Sequence, residues 1–236
     1  MTDTRDIHWK KIGAEGVAIV VSILLAFWID AWWDNKKELN EEKEILIGLE
    51  IEFTDLKQRL DFWAEYNNRG RVLIEQFLSS SVQEMDAQEI ERALTYASIV
   101  NILDQGGPID AIMASGRLEK ITDREIRSLL TKWPDWLDDI HTNDISARRF
   151  AMQEIVPFLA KHGFPGSVCE QPELFFICAG NESPPQKYVD LASNEEFRSL
   201  LIMRRAWLLS GHNDHSNASK EAENILNLIS KRLKEF

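Results

Sequence analysis

Hydrophobic residues open the chain as a nearly unbroken block. From Ile12 to Trp33 it reads IGAEGVAIVVSILLAFWIDAWW, with Glu15 and Asp30 its charged members, both near the ends. A helix of about 22 residues is about 33 Å long, close to the roughly 30 Å of a bilayer's hydrocarbon core. A carboxylate at that boundary costs far less than one at the centre. Trp9 before the block and Trp28, Trp32 and Trp33 at its end fit an interfacial aromatic belt. The pattern predicts a short tail over 1–11 and a transmembrane helix over 12–33. A cleaved signal peptide and a buried core helix are the competing readings. Lys10-Lys11 suits a signal peptide, but a small-x-small cleavage site is missing and bulky tryptophans stand where cleavage would fall.

Beyond Trp33 the pattern becomes amphipathic. Leu46, Leu49, Phe53, Leu56, Leu60 and Trp63 alternate three and four apart, and Leu39 extends the row upstream by seven. This heptad spacing predicts a stalk helix over 34–69, ending at Asn67-Asn68-Arg69-Gly70. The seam packs on a second copy or on the chain's own later helices; its shortness favours the latter.

The domain over 70–236 reads as helices with polar punctuation. A helix is expected over Arg71–Ser81. Asp86 with Glu89 forms a capping box that opens a helix to about Val100. Asp104–Pro108 reads as a turn, then a short helix over Ile109–Ser115 with Gly116 as its left-handed cap. Thr122 or Asp123 with Glu125 starts a helix that ends or kinks at Pro134, and a long one over Asp135–His162 contains Pro157. An irregular segment is expected near 163–192, with an extended piece at Leu174–Cys178. Ser193 with Glu196 caps a helix to Ser210. A loop at Gly211-His212-Asn213-Asp214 then precedes a last helix to Phe236. The expected fold class is all-α: a transmembrane helix, an amphipathic stalk and a mostly helical soluble bundle.

Composition narrows the function classes. Hydrophobic residues make up 44% and charged residues 28% of 236, a globular balance. A formal charge of −12 argues against a nucleic-acid partner, because phosphate binding needs clustered cations. Arg5, Lys10 and Lys11 precede the span and Lys36, Lys37 and Lys43 follow it, so Lys and Arg nearly balance. A short tail usually stays inside. That places the anchor in a bacterial inner membrane and the domain in the periplasm, with the lipid bilayer as first partner. Cys169 and Cys178 would then meet an oxidising space and could pair as a disulfide.

Candidate chemistry is sparse. Ala14, Ala18, Ser22 and Ala26 recur every four residues along the span, a spacing that lets two helix backbones approach in lipid, although it also arises by chance in an alanine-containing helix. Asp138 and His141 share a helix face and are metal candidates, as are His212 and His215 three apart; the plainer readings are a solvated acidic face and a polar loop. Neither a Gly-x-Ser-x-Gly elbow nor a phosphate-binding glycine loop occurs. Trp63, Trp133, Trp136 and Trp207 could line a pocket and are more commonly core. No cofactor and no enzyme activity are expected.

Two stretches, IGAEGVAIVVSILLAFWIDAWWDNKKELNEEKEIL and DAIMASGRLEKITDREIRSLLTKW, together resemble an uncharacterised bacterial family of single-pass membrane proteins. The second carries Ser115-Gly116-x-Leu118, similar to that family's Ser-Gly-x-Leu segment. Trp28 and Ile29 depart from it, standing where the family more often has Gln and an aliphatic residue. The resemblance implies a membrane-anchored helical domain and brings no activity. The expected function is an interaction or scaffold component that self-associates or docks on a membrane partner. The alternatives are an extracytoplasmic ligand-binding sensor and a hydrolase.

Overall fold

A computed structural model describes residues 9–79, 84–103, 108–162, 166–171, 174–179 and 185–236. Over 9–15, 166–171 and 174–179, and at 87, 88, 108, 110, 113 and 185, it describes the backbone alone. The regular structure among the described residues is helical apart from one hairpin. Its helices are α1 (Trp9–Leu78), α2 (Ala87–Ser98), α3 (Pro108–Ala114), α4 (Arg124–Phe150), α5 (Val156–Lys161), α6 (Pro185–Ser193) and α7 (Glu195–Leu233). The strands are β1 (Gly166–Gln171) and β2 (Leu174–Ala179). The expected extended piece at Leu174–Cys178 is one arm of this antiparallel hairpin.

Span, stalk and the next expected helix are one helix. α1 runs 70 residues without a break. An 18-residue stretch near its start has a mean hydropathy of 1.9 and none of it is buried within the chain. Val17, Leu24, Phe27 and Trp28 are all more than 60% exposed. α1 is therefore long and apolar enough, near the N-terminus, to cross a membrane, and among the described residues nothing covers that stretch as it would cover a core helix.

From residue 42 onward α1 is the bundle's central strut. Leu46, Leu49, Phe53, Leu56 and Leu60 are buried on a single face. That face meets α7, which runs antiparallel: Glu42 pairs with Arg232, Lys57 with Glu223, and Glu75 with Arg205. The heptad row thus packs on the chain's own last helix. α7 answers with a row of its own, Phe197, Leu201, Arg204, Leu208, Gly211, His215, Ala218, Ala222, Ile225 and Ile229, all buried.

Two glycines read as breaks are instead close packing points. A Cβ on Gly70 would stand 2.7 Å from Cδ1 and 2.9 Å from Cγ of the Tyr96 ring, and one on Gly211 would stand 2.9 Å from Nδ2 of Asn67. A helical glycine costs about 1 kcal/mol relative to alanine. Here α2 and α1 approach through the gaps the glycines leave, so α1 passes Asn67–Gly70 and α7 passes Gly211–Asp214 as continuous helix. Gly70→Ala is expected to lower stability by about 1–2 kcal/mol, because overpacking against the root of the ring outweighs the propensity gain. Gly48→Ala, with nothing within 4 Å of its Cβ, is expected to raise stability by about 0.5–1 kcal/mol. Urea unfolding of the two variants checks both signs.

Other boundaries move for similar reasons. α4 continues through Pro134. Trp133 is fully buried and its ring meets Phe53 edge-on at 5.0 Å, and Ile140 is anchored one side further on, so packing on both sides of the proline holds the helix together. At Pro157 the backbone does adjust: residues Ala151–Ile155 widen into a π-turn just ahead of it, as expected where a proline withholds an N–H. Asp86 and Glu89 form the expected capping box, and Asp123 caps α4 by accepting from Glu125 N and Ile126 N. The cap of α7 is Asn194, which accepts from Phe197 N, one residue past the expected Ser193. Gly116 is left-handed, with φ 71°, as expected. The turn expected over 104–107 lies outside the described residues, as do 80–83, 163–165, 172–173 and 180–184.

Two apolar cores result. The one nearer the apolar stretch of α1 joins α1 residues Ile45–Leu60 to Trp133, Ile140 and the Ala218–Ile229 part of α7. The distal one joins Ile74 and Phe77 to Ile90, Phe158, Tyr188 and the Phe197–Leu208 part of α7.

Candidate functional site

Between the two cores the α1–α7 seam continues, but its chemistry turns polar. Arg204 is 1% exposed. Its Nε donates to the Tyr96 and Ala97 carbonyls, at 3.2 Å each, and its Nη2 to the Tyr96 carbonyl at 3.0 Å and the Ile99 carbonyl at 3.1 Å. Those carbonyls close α2, where a helix leaves acceptors unsatisfied and its dipole is negative. Burial pushes the Arg204 guanidinium down to about 10, with Tyr66 and Asp144 opposing the shift, so it stays charged at neutral pH. The same burial, reinforced by Tyr96 and opposed by Arg204, pushes the Tyr66 phenol up.

About three turns further along α7, His215 is 2% exposed and faces Asp144 of α4, itself 7% exposed. Nε2 of His215 lies 3.9 Å from Oδ2 of Asp144, and its Nδ1 donates to the Gly211 carbonyl at 2.6 Å. The same Oδ2 accepts from Leu103 N at 3.1 Å. Burial pushes the Asp144 carboxyl above its ordinary value, against the pull of His215 and of the Leu103 amide. Next to this pair, Asp214 accepts from Asn143 Nδ2 at 3.0 Å and Ser210 Oγ at 3.2 Å. His212 donates through Nδ1 to the Ala64 carbonyl at 2.9 Å, and Ser219 donates to Asp61.

A second polar knot sits at the end of the bundle nearer the apolar stretch of α1. Glu42, 1% exposed, accepts from Thr122 N and Thr122 Oγ1 at 2.9 Å each, and from Arg232 Nη2 at 2.9 Å and Nε at 3.3 Å. Burial pushes its carboxyl up, but the Arg232 and Thr122 hydrogen bonds outweigh this and hold it below the ordinary value.

The expected site residues are only partly brought together. Asp138 is exposed on α4 and His141 half-buried, with no hydrogen-bond partner at the His141 Nδ1. His212 and His215 lie inside α7, not in a loop, each committed through Nδ1 to a backbone carbonyl. Among the described residues no group of three His, Cys, Asp or Glu side chains is placed to hold a metal. Ser115 and Gly116 form the turn after α3, with Ser115 Oγ donating to the Ile112 carbonyl at 3.1 Å, and Leu118 packs on the core nearer the apolar stretch of α1. Ala18, Ser22 and Ala26 are exposed along the span, and Ser22 Oγ donates to the Ala18 carbonyl at 2.8 Å. Ala14 lies where only the backbone is described. The hairpin register sets Cys169 against Phe176 and Cys178 against Ser167. The two cysteines are thus offset diagonally rather than directly opposed, at roughly 7–8 Å for such positions.

Glu42, Asp144 and Arg204 lie inside helices expected from the sequence, but the Arg204-Arg205 pair reads there as a solvated helix face, whereas Arg204 is buried; His215 falls by an expected loop that is helix. Continued at three and four, the α1 row runs back from Leu46 to Glu42 and on through Asn67 and Gly70 to Ile74 and Phe77. The α7 row passes through Arg204, Gly211 and His215 in the same way. Polar residues at seam positions are the signal. No protein-family model, no curated protein and no solved structure matches the chain.

Proposed function

We propose that the chain is a membrane-anchored helical interaction protein that self-associates, or docks on a partner membrane protein, through its span. The observation that carries this reading is the continuity of α1. Its first part is apolar and bare of any covering from the described residues, and its second part is the strut of the folded bundle. The same rigid element would carry whatever meets the span into the water-soluble domain. The Ala14, Ala18, Ser22, Ala26 row offers a flat face for close helix approach in lipid, and the Ser22 hydroxyl already has an acceptor in its own helix. We place the anchor in a bacterial inner membrane with the bundle on the periplasmic side. The resemblance to the single-pass family supports the anchored architecture and assigns no reaction.

Crosslinking of the full-length chain in membranes tests this. The wild type is expected to give a discrete crosslinked species, a dimer or a complex with another membrane protein, and Ala18→Leu with Ser22→Leu should reduce it several-fold while the chain stays in the membrane fraction. Recovery of the intact chain in the soluble fraction, or an identical monomeric pattern for both proteins, would overturn it.

A further inference from the structure

We propose that the face of α1 just beyond its apolar stretch holds the headgroup of a phospholipid bearing a primary ammonium, with the phosphate against Lys36 and Lys37 and the ammonium among Asn40, Glu41 and Glu44. The inference rests on the reading that α1 spans a membrane. Trp33, Lys36, Lys37, Asn40, Glu41 and Glu44 line a shallow groove of about 420 Å³. They follow one another at helical spacing, so all six share one side of α1. That side turns away from Leu46, Leu49 and Phe53, which are buried in the bundle, and Trp33 is 64% exposed. From the rest of the bundle Lys120 reaches the outer end of the groove, its Nζ 3.4 Å from Glu41 Oε2.

The order of the groups selects the ligand. A bilayer's headgroup layer adds about 5–7 Å to each side of the hydrocarbon core. With Trp33 at that boundary, Lys36 and Lys37 stand about 4.5–6 Å beyond it, at the depth of the phosphates. Asn40, Glu41 and Glu44 follow at about 10–17 Å. Side chains on a helix lean toward its N-terminus, which brings their oxygens back toward the lipid. From the lipid outward the groove presents an indole, two ammoniums, then an amide and two carboxylates.

This order complements a headgroup with its phosphate below and its cation above. The lysines donate to the phosphate oxygens. The Asn40 carbonyl and the carboxylates accept from the ammonium. A headgroup that is only anionic would gain the lysines but meet the carboxylates, and a quaternary ammonium has no N–H to give them. Lys36 Nζ lies 5.3 Å from the centre of the Trp32 ring, a contact that holds its charge at the lipid edge. Lys120 already shares Glu41, so the lipid ammonium depends chiefly on Glu44. Among the described residues Lys37 and Glu44 have no ion-pair partner in the chain.

Native mass spectrometry of the full-length chain in detergent, titrated with phosphatidylethanolamine, phosphatidylcholine and phosphatidylglycerol, tests the site. The wild type is expected to bind phosphatidylethanolamine roughly threefold to tenfold more tightly than either other lipid. Lys36→Gln with Lys37→Gln should abolish that preference and weaken phosphatidylglycerol as well. Glu44→Gln should weaken phosphatidylethanolamine and leave phosphatidylglycerol equal or tighter. All three positions are exposed, so the far-UV circular dichroism of the variants should match that of the wild type. Equal affinity for the three lipids, a preference for phosphatidylglycerol, or a phosphatidylethanolamine preference that survives both variants would overturn the site. The spanning reading fails separately: it falls if the intact chain is recovered from cells in the soluble fraction before detergent is added. A membrane-embedded chain without the lipid preference sinks the headgroup site alone.

Discussion

Replacing Arg204 with alanine is expected to cost the bundle about 3–5 kcal/mol, enough to unfold much of it at room temperature. The side chain is 1% exposed and its donors hold the Tyr96, Ala97 and Ile99 carbonyls. Truncation leaves three acceptors in a cavity that water reaches poorly, and an unsatisfied buried group costs about 1–3 kcal/mol. The guanidinium's fork is what spans carbonyls on successive turns, so Arg204→Lys should recover only part of the loss. The neighbouring Arg205 supplies the control. Its side chain is 39% exposed and its contact with Glu75 is 3.7 Å, so Arg205→Ala should change stability by less than about 1 kcal/mol. Denaturant unfolding followed by far-UV circular dichroism measures all three. An Arg204→Ala protein within about 1 kcal/mol of wild type would mean that the end of α2 finds water.

How much of this was legible in the sequence depends on the length scale. The stalk was readable because apolar periodicity over many residues reports burial directly: Leu46 to Leu60 are buried as their spacing required. The caps at Asp86 and Asp123 were readable because they are local chemistry, complete within four residues. Misreadings arose where a local signal met a distant partner. Gly70 and Gly211 carry the propensity of a break, yet Tyr96 and Asn67 fill the space beside them. Pro134 should interrupt a helix, yet Trp133 and Ile140 hold it in place. Once Gly211 was taken as a loop, the seam identity of His215 vanished, and with it the meeting with Asp144, a residue 71 positions earlier in the chain. The polar layer is invisible to a reading that treats hydrophobicity as the mark of the interior, because its members earn their places through partners on other helices.

The end of the bundle nearest the span should be the easiest part to release selectively. Glu42 stands nine residues after Trp33, about 13 Å along the helix, and its carboxylate holds Thr122 at the start of α4 and Arg232 at the end of α7. Glu42→Ala is expected to cost about 3 kcal/mol, since the Thr122 amide and part of the Arg232 fork lose their acceptor. Arg232 is 21% exposed and keeps Glu235 at 2.7 Å, which keeps the loss below that at Arg204. The pH dependence has a definite sign. The folded carboxyl lies below its ordinary value of 4.5, so its contribution is present above that pH and is lost as pH falls through the folded value. Glu42→Gln should therefore flatten the acid limb of the stability profile while keeping the side chain's shape. Hydrogen exchange locates the effect: in Glu42→Ala, protection should fall first over 118–130 and 225–233 and persist around Ile74 and Phe158, which belong to the other core. Loss spread evenly over both cores would show that they unfold as one unit and that Glu42 has no local role. Selective loss would mean that this clamp governs the end of the bundle nearest the apolar stretch of α1, where the described ion pairs from α1 to other elements are those of Glu42 with Arg232 and of its neighbour Glu41 with Lys120 at 3.4 Å.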